Sequence, residues 1–340
     1  MRMRVAILHD ALPEDARPDE QDTLAQAEFV RDELARAGHD ATLVPFGLDL
    51  AANRDAIGTP DLVFNLVESV AGKARLLHVA PAFLDALRLR YTGCPTEALF
   101  LTTNKVLAKR WLALRGLPTP AWATVDDLES SARVAGGRWI LKSVHGEASV
   151  GLEDDAVVEA SGPRLLQLLA ERAPRLGGDA FAEAYVEGRE FNLPMLDGPG
   201  GVQVLPAAET VFVDYAPGKP RIVGYAAKWR AESYEHNHTP RRFGVERTEP
   251  FLAARLVDLA RQCWTLFGLR GYARVDFRVD DQSRPWILEI NANPCLSPDA
   301  GFLAAAKEAG LSVADVVGRI VEVGGPRGNG RDFSRHGASS

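Results

Sequence analysis

The sequence predicts an α/β chain that opens on a parallel sheet and takes on α+β character in its later part. Three observations point there. Short, almost uninterrupted apolar runs such as MRVAIL and DLVFNLV alternate with a helical segment in the first hundred residues, as in strands buried on both faces. Later strands are closely spaced and joined by turns such as EGR and DDQSRP. At 340 residues the chain is also too long for one small core, so two or three packed units are expected.

In the first unit, MRVAIL, DATLVPF and DLVFNLV read as strands. Between the first two, Thr23, Ala27, Val30, Leu34 and Ala37 share one helical face, with Asp22 as the expected N-cap and Gly38 at C′. The helix HVAPAFLDALRL leads into RYTGCPT, where the unit closes near residue 95. In a central unit over 96–180, Thr103 caps a helix that ends at Gly116 before Pro118 and Pro120. The strand WILKSV, the small-residue loop HGEASVG and the helix SGPRLLQLLAERAP follow. A third unit over 181–323 holds the strands AFAEAYV and EFNLPML, the segment VQVLPAAETV, the helix LAARLVDLARQCWTLFG and the segment GYARVDFRVDDQSRPWILEINANPC. Residues 324–340 have the composition of a flexible tail.

A net charge of −7 argues against a nucleic-acid footprint, which needs clustered Lys and Arg. No apolar run is long enough to span a bilayer, and the N-terminus lacks the pattern of a secretory signal. Cys94, Cys263 and Cys295 form no CxxC and no even framework, which fits a reducing cytoplasm.

The chemistry concentrates in the last hairpin. If RVDFRV and WILEIN pair with Val279 opposite Trp286, then Val275, Phe277, Val279, Trp286, Leu288 and Ile290 form one apolar face. Arg274, Asp276, Glu289 and Asn291 gather on the other, and a bulge would shift this register. Such a face can simply be solvated. Yet Asp276 directly opposite Glu289 is a destabilising like-charge pair, and a divalent cation reverses that sign. Carboxylate and amide oxygens suit Mg²⁺, whose shell nucleotide phosphates commonly complete.

Several residues upstream could meet such a nucleotide. Lys142 ends a strand just before HGEASVG, whose small residues let backbone N–H groups approach an anion, although a plain turn reads equally well. Neither GxxxxGK[ST] nor GxGxxG occurs. Lys105 and Lys109 lie one turn apart on a helix, where solvated lysines are usual. Lys228, Glu183 and Glu190 each have a surface reading as well. His236 and His238 could share a metal or sit in a polar loop, and Arg241 and Arg242 could hold a substrate carboxylate.

The order of these motifs resembles the ATP-grasp superfamily, and within it the D-alanine–D-alanine ligases, up to about residue 320. The most specific matches are RVDF with Arg274 and Asp276, and E-x-N-x-x-P with Glu289, Asn291 and Pro294. The resemblance implies an ATP-grasp fold behind an N-terminal Rossmann-like domain. It also implies an ATP-dependent carboxylate–amine ligase that forms an amide or peptide bond through an acyl phosphate. It assigns ATP contacts to Lys105, Lys142, Lys228 and the flap residue Ser149, with Gly151 beside it. Glu183, Ala184, Tyr185 and Val186 would meet adenine, and Glu190 the ribose. Asp276, Glu289 and Asn291 would hold Mg²⁺ or Mn²⁺, and Arg274 would stabilise the oxyanion. A homodimer acting on small amino-acid or other carboxylate and amine substrates is implied too.

The departures fall at the amino-acid sites. Cys295 stands where the ligases carry a Gly, Ala300 where they carry a Ser, and Leu66-Val67-Glu68-Ser69 where they carry LHG. Glu20 is the nearest candidate for their ammonium-binding Glu. Substrates other than D-Ala plus D-Ala are therefore expected. The rival readings are a true D-alanine–D-alanine ligase and a nucleotide-binding protein that has lost catalysis.

Overall fold

The computed structural model describes residues 2–130, 136–146 and 148–324. The part of the expected tail from 325 onward, and Glu147 of the HGEASVG loop, lie outside the described residues. No helix among the described residues is long and apolar enough to cross a membrane.

The opening apolar runs do form a parallel sheet. Strand β1 (Arg4–Asp10) lies between β2 (Asp40–Phe46) and β3 (Leu62–Asn65), parallel to both. Helix α1 (Pro18–Arg36) connects β1 to β2 and buries Thr23, Ala27, Val30 and Leu34 as their spacing predicts, whereas Ala37, expected on the same face, is the exposed C-cap residue. The helix start differs from the expectation. Arg17 is the N-cap, Pro18 takes the first helical position, and Glu20 accepts the Arg17 N–H at 2.8 Å. Asp22 is thereby released from capping and lies inside the helix. Gly38 follows the helix with φ +85°, the left-handed turn expected of it. Helix α2 (Leu50–Ile57), capped by Asp49, was not foreseen, and α3 (Val79–Ala86) was.

Helix α4 (Thr96–Thr103) leads directly into α5 (Lys105–Leu114). Asn104, and not Thr103, caps α5 by accepting the Leu107 N–H at 2.9 Å. A four-stranded sheet follows, built from β4 (Trp122–Thr124), β5 (Gly137–Ser143), β6 (Val157–Ala160) and β7 (Ala180–Ala184) in the order β4-β7-β5-β6. Helix α6 (Gly162–Arg172) covers it through Leu165 and Leu169.

The third sheet contains β8 (Arg189–Leu196), β9 (Gln203–Val204), β10 (Ala208–Thr210), β11 (Arg241–Arg242), β12 (Tyr272–Val279) and β13 (Pro285–Asn291). Its order is β11-β10-β8-β12-β13, with β9 paired to β8. One face packs on α7 (Pro250–Leu266) through Phe191, Leu193, Val275, Phe277, Ile287 and Ile290. Each such fully buried side chain contributes about 1.5–3 kcal/mol. Cys263 is fully buried in the same core. Helices α8 (Gly301–Glu308) and α9 (Val313–Val323) return to the first sheet, where Phe302, Val316 and Ile320 pack with Val5, Ile7 and Phe64.

The hairpin register holds in one half and shifts in the other. Arg274 faces Asn291 and Asp276 faces Glu289, as expected, but a bulge after Asp276 pairs Phe277 with Ile287 and Val279 with Pro285. Leu288 and Trp286 therefore leave the expected core face. Leu288 instead lines a large cavity.

The turn EGR does not join a hairpin. It carries the chain from β7 in one sheet to β8 in another. Gly188 in this crossing has φ +146°, and a Cβ there would lie 2.0 Å from the Val279 carbonyl oxygen. Gly188→Ala is expected to destabilise by roughly 3 kcal/mol. Gly310→Ala, at φ +78° with open space around it, should cost only about 1 kcal/mol. Urea denaturation of both variants checks the contrast, and equal costs would mean that the crossing yields to a methyl group.

Candidate active site

The face of the third sheet opposite α7 borders a cavity of about 410 Å³, closed on its other sides by the four-stranded sheet, by α4 and by residues of α1 and of the loop after β3. Strand alternation decides what enters it. Arg274, Asp276 and Arg278 share the cavity side of β12, and the bulge in β13 turns Leu288 and Glu289 the same way. Lys105, Lys142, Ser149, Glu183, Ala184, Tyr185, Val186, Glu190, Lys228 and Asn291 also line it. Most residues singled out for nucleotide, metal and oxyanion roles thus line one cavity, whereas Gly151, Lys109 and His238 do not.

The charge at the hairpin is internally compensated. Arg274 grips Asp276 with two parallel hydrogen bonds, Nε to Oδ1 at 2.7 Å and Nη2 to Oδ2 at 2.8 Å. Asn192, opposite Asp276 on β8, donates to Oδ1 at 2.8 Å. Glu289 lies 3.4 Å from the Lys105 ammonium. Burial alone would raise its carboxyl, but Lys105, Lys228 and Arg274 outweigh burial and hold it below the usual range. Repulsion between Asp276 and Glu289 therefore does not by itself demand a cation, contrary to the expectation. The case for a metal rests on the donors themselves. Among the described residues no three His, Cys, Asp or Glu side chains converge on a metal site. The fitting set is two carboxylates with the Asn291 amide oxygen, all hard oxygen donors.

Lys105 and Lys109 are not solvated, as their helical spacing had implied. Only 8% of Lys105 and 1% of Lys109 is exposed. Lys105 reaches the Gly146 carbonyl at 2.5 Å. Glu183, itself buried, lies between Lys109 at 2.5 Å and Lys142 at 2.6 Å. Burial opposes a charged Glu183, yet the two lysines keep its carboxyl below its ordinary value. Lys109 also donates to Thr119 Oγ1 at 2.7 Å, and that hydroxyl donates to the Ile287 carbonyl, so this chain of contacts reaches from β7 to β13. Sequence reasoning read Lys109 as a solvated lysine and missed Asn192. The spacing of Lys105 and Lys109 marks one face of α5, but nothing local says that the face is covered.

The flap after β5 turns tightly, with Ala148, Ser149 and Gly151 at φ +56°, +60° and +73°. Ser149 Oγ donates to the Val223 carbonyl at 2.9 Å, and Trp229 Nε1 to the Ala148 carbonyl at 2.9 Å. These contacts tie the flap to the segment bearing Lys228. Desolvation and the neighbouring Arg274 pull the Lys228 ammonium below its usual value. Burial raises the Glu190 carboxyl, with Arg278 only partly opposing it.

At the other end Asp22, Glu68, Cys295, Ser297 and Arg241 line the cavity. Glu20, expected there, instead closes the capping box of α1. The Cys295 Sγ lies within hydrogen-bond reach of Asp22 Oδ2 at 3.2 Å and Ser297 Oγ at 3.1 Å, and its single proton can serve either. Burial, then Glu68 and Asp22, push the thiol well above its ordinary value, which disfavours the thiolate form. Arg241 donates to the Asp299 carbonyl at 2.9 Å, whereas Arg242 is held by Glu209. His238 stacks on Tyr234 and His236 engages the Ala227 carbonyl, so the two rings do not share a metal.

Lys109→Met leaves Glu183 with one cation in place of two. The expected cost is about 3 kcal/mol, because an undercompensated charge stays buried. A denaturation midpoint close to wild type would show that Lys142 alone suffices.

Relatives share this architecture. An uncharacterized protein, y4sG, of Sinorhizobium fredii is 30% identical over 314 residues, covering 87% of each chain. A D-alanine–D-alanine ligase of Gloeobacter violaceus is 27% identical over 332 residues, covering 94% of this chain and 99% of that one. Among solved structures, a D-alanine–D-alanine ligase from Bacillus anthracis complexed with ATP superposes with a TM-score of 0.68 at 16% identity, over 95% of this chain and 96% of that one. VanG D-Ala:D-Ser ligase from Enterococcus faecalis gives 0.70 at 15% identity, over 96% and 100%. These likenesses establish the ATP-grasp fold. Residues 116–322 match the family model described as D-ala D-ala ligase C-terminus, and the chain belongs to that family.

Proposed function

We propose that the chain is an ATP-dependent carboxylate–amine ligase that works through an acyl phosphate, on amino-acid or peptide-like substrates other than D-Ala plus D-Ala. The observation that carries this reading is a single cavity in which Lys105, Lys142, Lys228 and Arg274 face Asp276 and Glu289. Positive groups are needed where phosphoryl and acyl oxygens gain charge, and preorganised ones cost no rearrangement at the moment of reaction.

In this reading the base enters the apolar part of the cavity beside Ile140, Ile222 and Leu288, against the backbone of Ala184, Tyr185 and Val186. Glu190 accepts from the ribose hydroxyls. Lys105, Lys142 and Lys228 meet the phosphates under the Ser149 flap. Asp276, Glu289 and Asn291 would hold Mg²⁺ or Mn²⁺, which supplies Lewis acidity to phosphoryl oxygens. A carboxylate oxygen of the acid substrate attacks the γ-phosphorus of ATP, and the bond to the β,γ-bridging oxygen breaks, leaving ADP and an acyl phosphate. The amine then attacks the acyl carbon. Arg274 steadies the resulting oxyanion until phosphate leaves and the nitrogen gives up a proton.

Substrates other than D-Ala plus D-Ala are supported by the far end of the cavity. Asp22, Glu68 and the Cys295 thiol line it, together with Ala300, which has no hydroxyl to offer a carboxylate. A site that hydrogen-bonds one substrate group rejects analogues that lack it by large factors. The test is phosphate release from ATP and Mg²⁺ with D- and L-amino acids and short peptides, singly and in pairs, followed by mass spectrometry. Release that requires a pair, with a condensed product, supports the ligase. A preference for D-Ala with D-Ala would instead give the protein the activity for which its relatives are named.

Two substitutions probe the chemistry. Arg274→Met should lower kcat by roughly 10²–10³-fold with little change in nucleotide affinity. Glu289→Gln should abolish turnover, and turnover close to wild type would sink the assignment of Glu289 to a cation.

A further inference from the structure

Arg278 stands directly opposite Glu190 across the β8–β12 ladder, two residues past Asp276 on the same face of the strand. Only 4% of it is exposed. Its Nε donates to the Val186 carbonyl at 3.0 Å and its Nη1 to the Arg221 carbonyl at 2.9 Å, while Glu190 Oε2 lies farther away at 3.4 Å. The Nη2 is buried with no hydrogen-bond partner among the described residues. Tyr185 and Phe212 lie alongside the guanidinium, with ring centroids at 5.7 and 5.9 Å.

A buried guanidinium left partly unsatisfied is costly. Simple neutralisation of Glu190 does not account for its placement, because its shorter bonds go to two backbone carbonyls. Those carbonyls belong to the crossing between the sheets and to the loop that carries Ile222. A Lys, with one compact ammonium, could not span all three acceptors in the plane that Arg uses.

We propose that Arg278 is a positioning residue for the nucleotide, clamping the Val186 segment to the Arg221 loop and aiming the Glu190 carboxylate at the sugar. This rests on the nucleotide assignment above and adds to it the group on which ribose recognition depends. The effect of Arg278 appears as discrimination between nucleotides with and without sugar hydroxyls.

The test is calorimetric. Dissociation constants for ATP and for 2′,3′-dideoxy-ATP are measured, each with Mg²⁺, on wild type, Arg278→Met and Arg278→Lys. Wild type is expected to prefer ATP. Arg278→Met should bind ATP roughly 10- to 100-fold more weakly, the loss expected for a charged hydrogen-bonding group. Its preference for ATP over the dideoxy nucleotide should fall towards one. Arg278→Lys should lie between the two. In turnover assays the KM for ATP should rise far more than kcat falls. An equal loss for both nucleotides, with the preference intact, would overturn the proposal and leave Arg278 a structural strut. So would a wild type without preference. If Arg278→Met does not fold, Arg278→Lys decides, and a native circular dichroism spectrum with wild-type preference overturns the proposal. A wild type that binds no ATP overturns the nucleotide assignment itself.

Discussion

The site depends on the pairing of Arg274 with Asp276 on the cavity face of β12. A strand whose other face is sealed by Val275 and Phe277 cannot turn its charges elsewhere, because a one-residue slip would bring them into the apolar core. The charged face persists because each member has a fixed counterpart. Arg274 and Asn192 satisfy Asp276, and Lys105 stands near Glu289. The same compensation leaves Lys105, Lys142, Lys228 and Arg274 lining one cavity with these carboxylates.

A second constraint links the two sheets that enclose the cavity. Glu183 is shared by Lys109 and Lys142, and Lys109 connects through Thr119 to the backbone of β13. The helix α5, the strand β5 and the crossing after β7 are thus referred to one buried carboxylate. Gly188 completes the arrangement, since the crossing passes too close to β12 for a side chain. The flap adds a third link through Ser149 and Trp229, joining it to the segment that bears Lys228.

The two ends of the cavity differ in character. The end lined by Lys105, Lys142 and Lys228 is cationic and backed by apolar side chains, whereas the far end offers Asp22, Glu68 and the Cys295 thiol. At the second end Asp22, released from capping by Arg17 and Pro18, becomes available to line the cavity.

The sequence by itself determined the parallel opening sheet, the buried face of α1, the pairing of Arg274 with Asn291 and of Asp276 with Glu289, and the cavity-lining residues of the RVDF and E-x-N motifs. These follow from local periodicity and strand alternation, which a linear reading contains. Tertiary structure decided the rest. Lys109 and Lys105 look solvated on an isolated helix and are buried because β7 and β13 cover that face. The bulge that turns Leu288 into the cavity is a property of two strands together. The crossing at Gly188, the partition of β7 and β8 between sheets, and the turning of Arg242 toward Glu209 arise from contacts between residues far apart in the chain. Periodicity places a side chain on a face of its element, but only packing decides what that face meets.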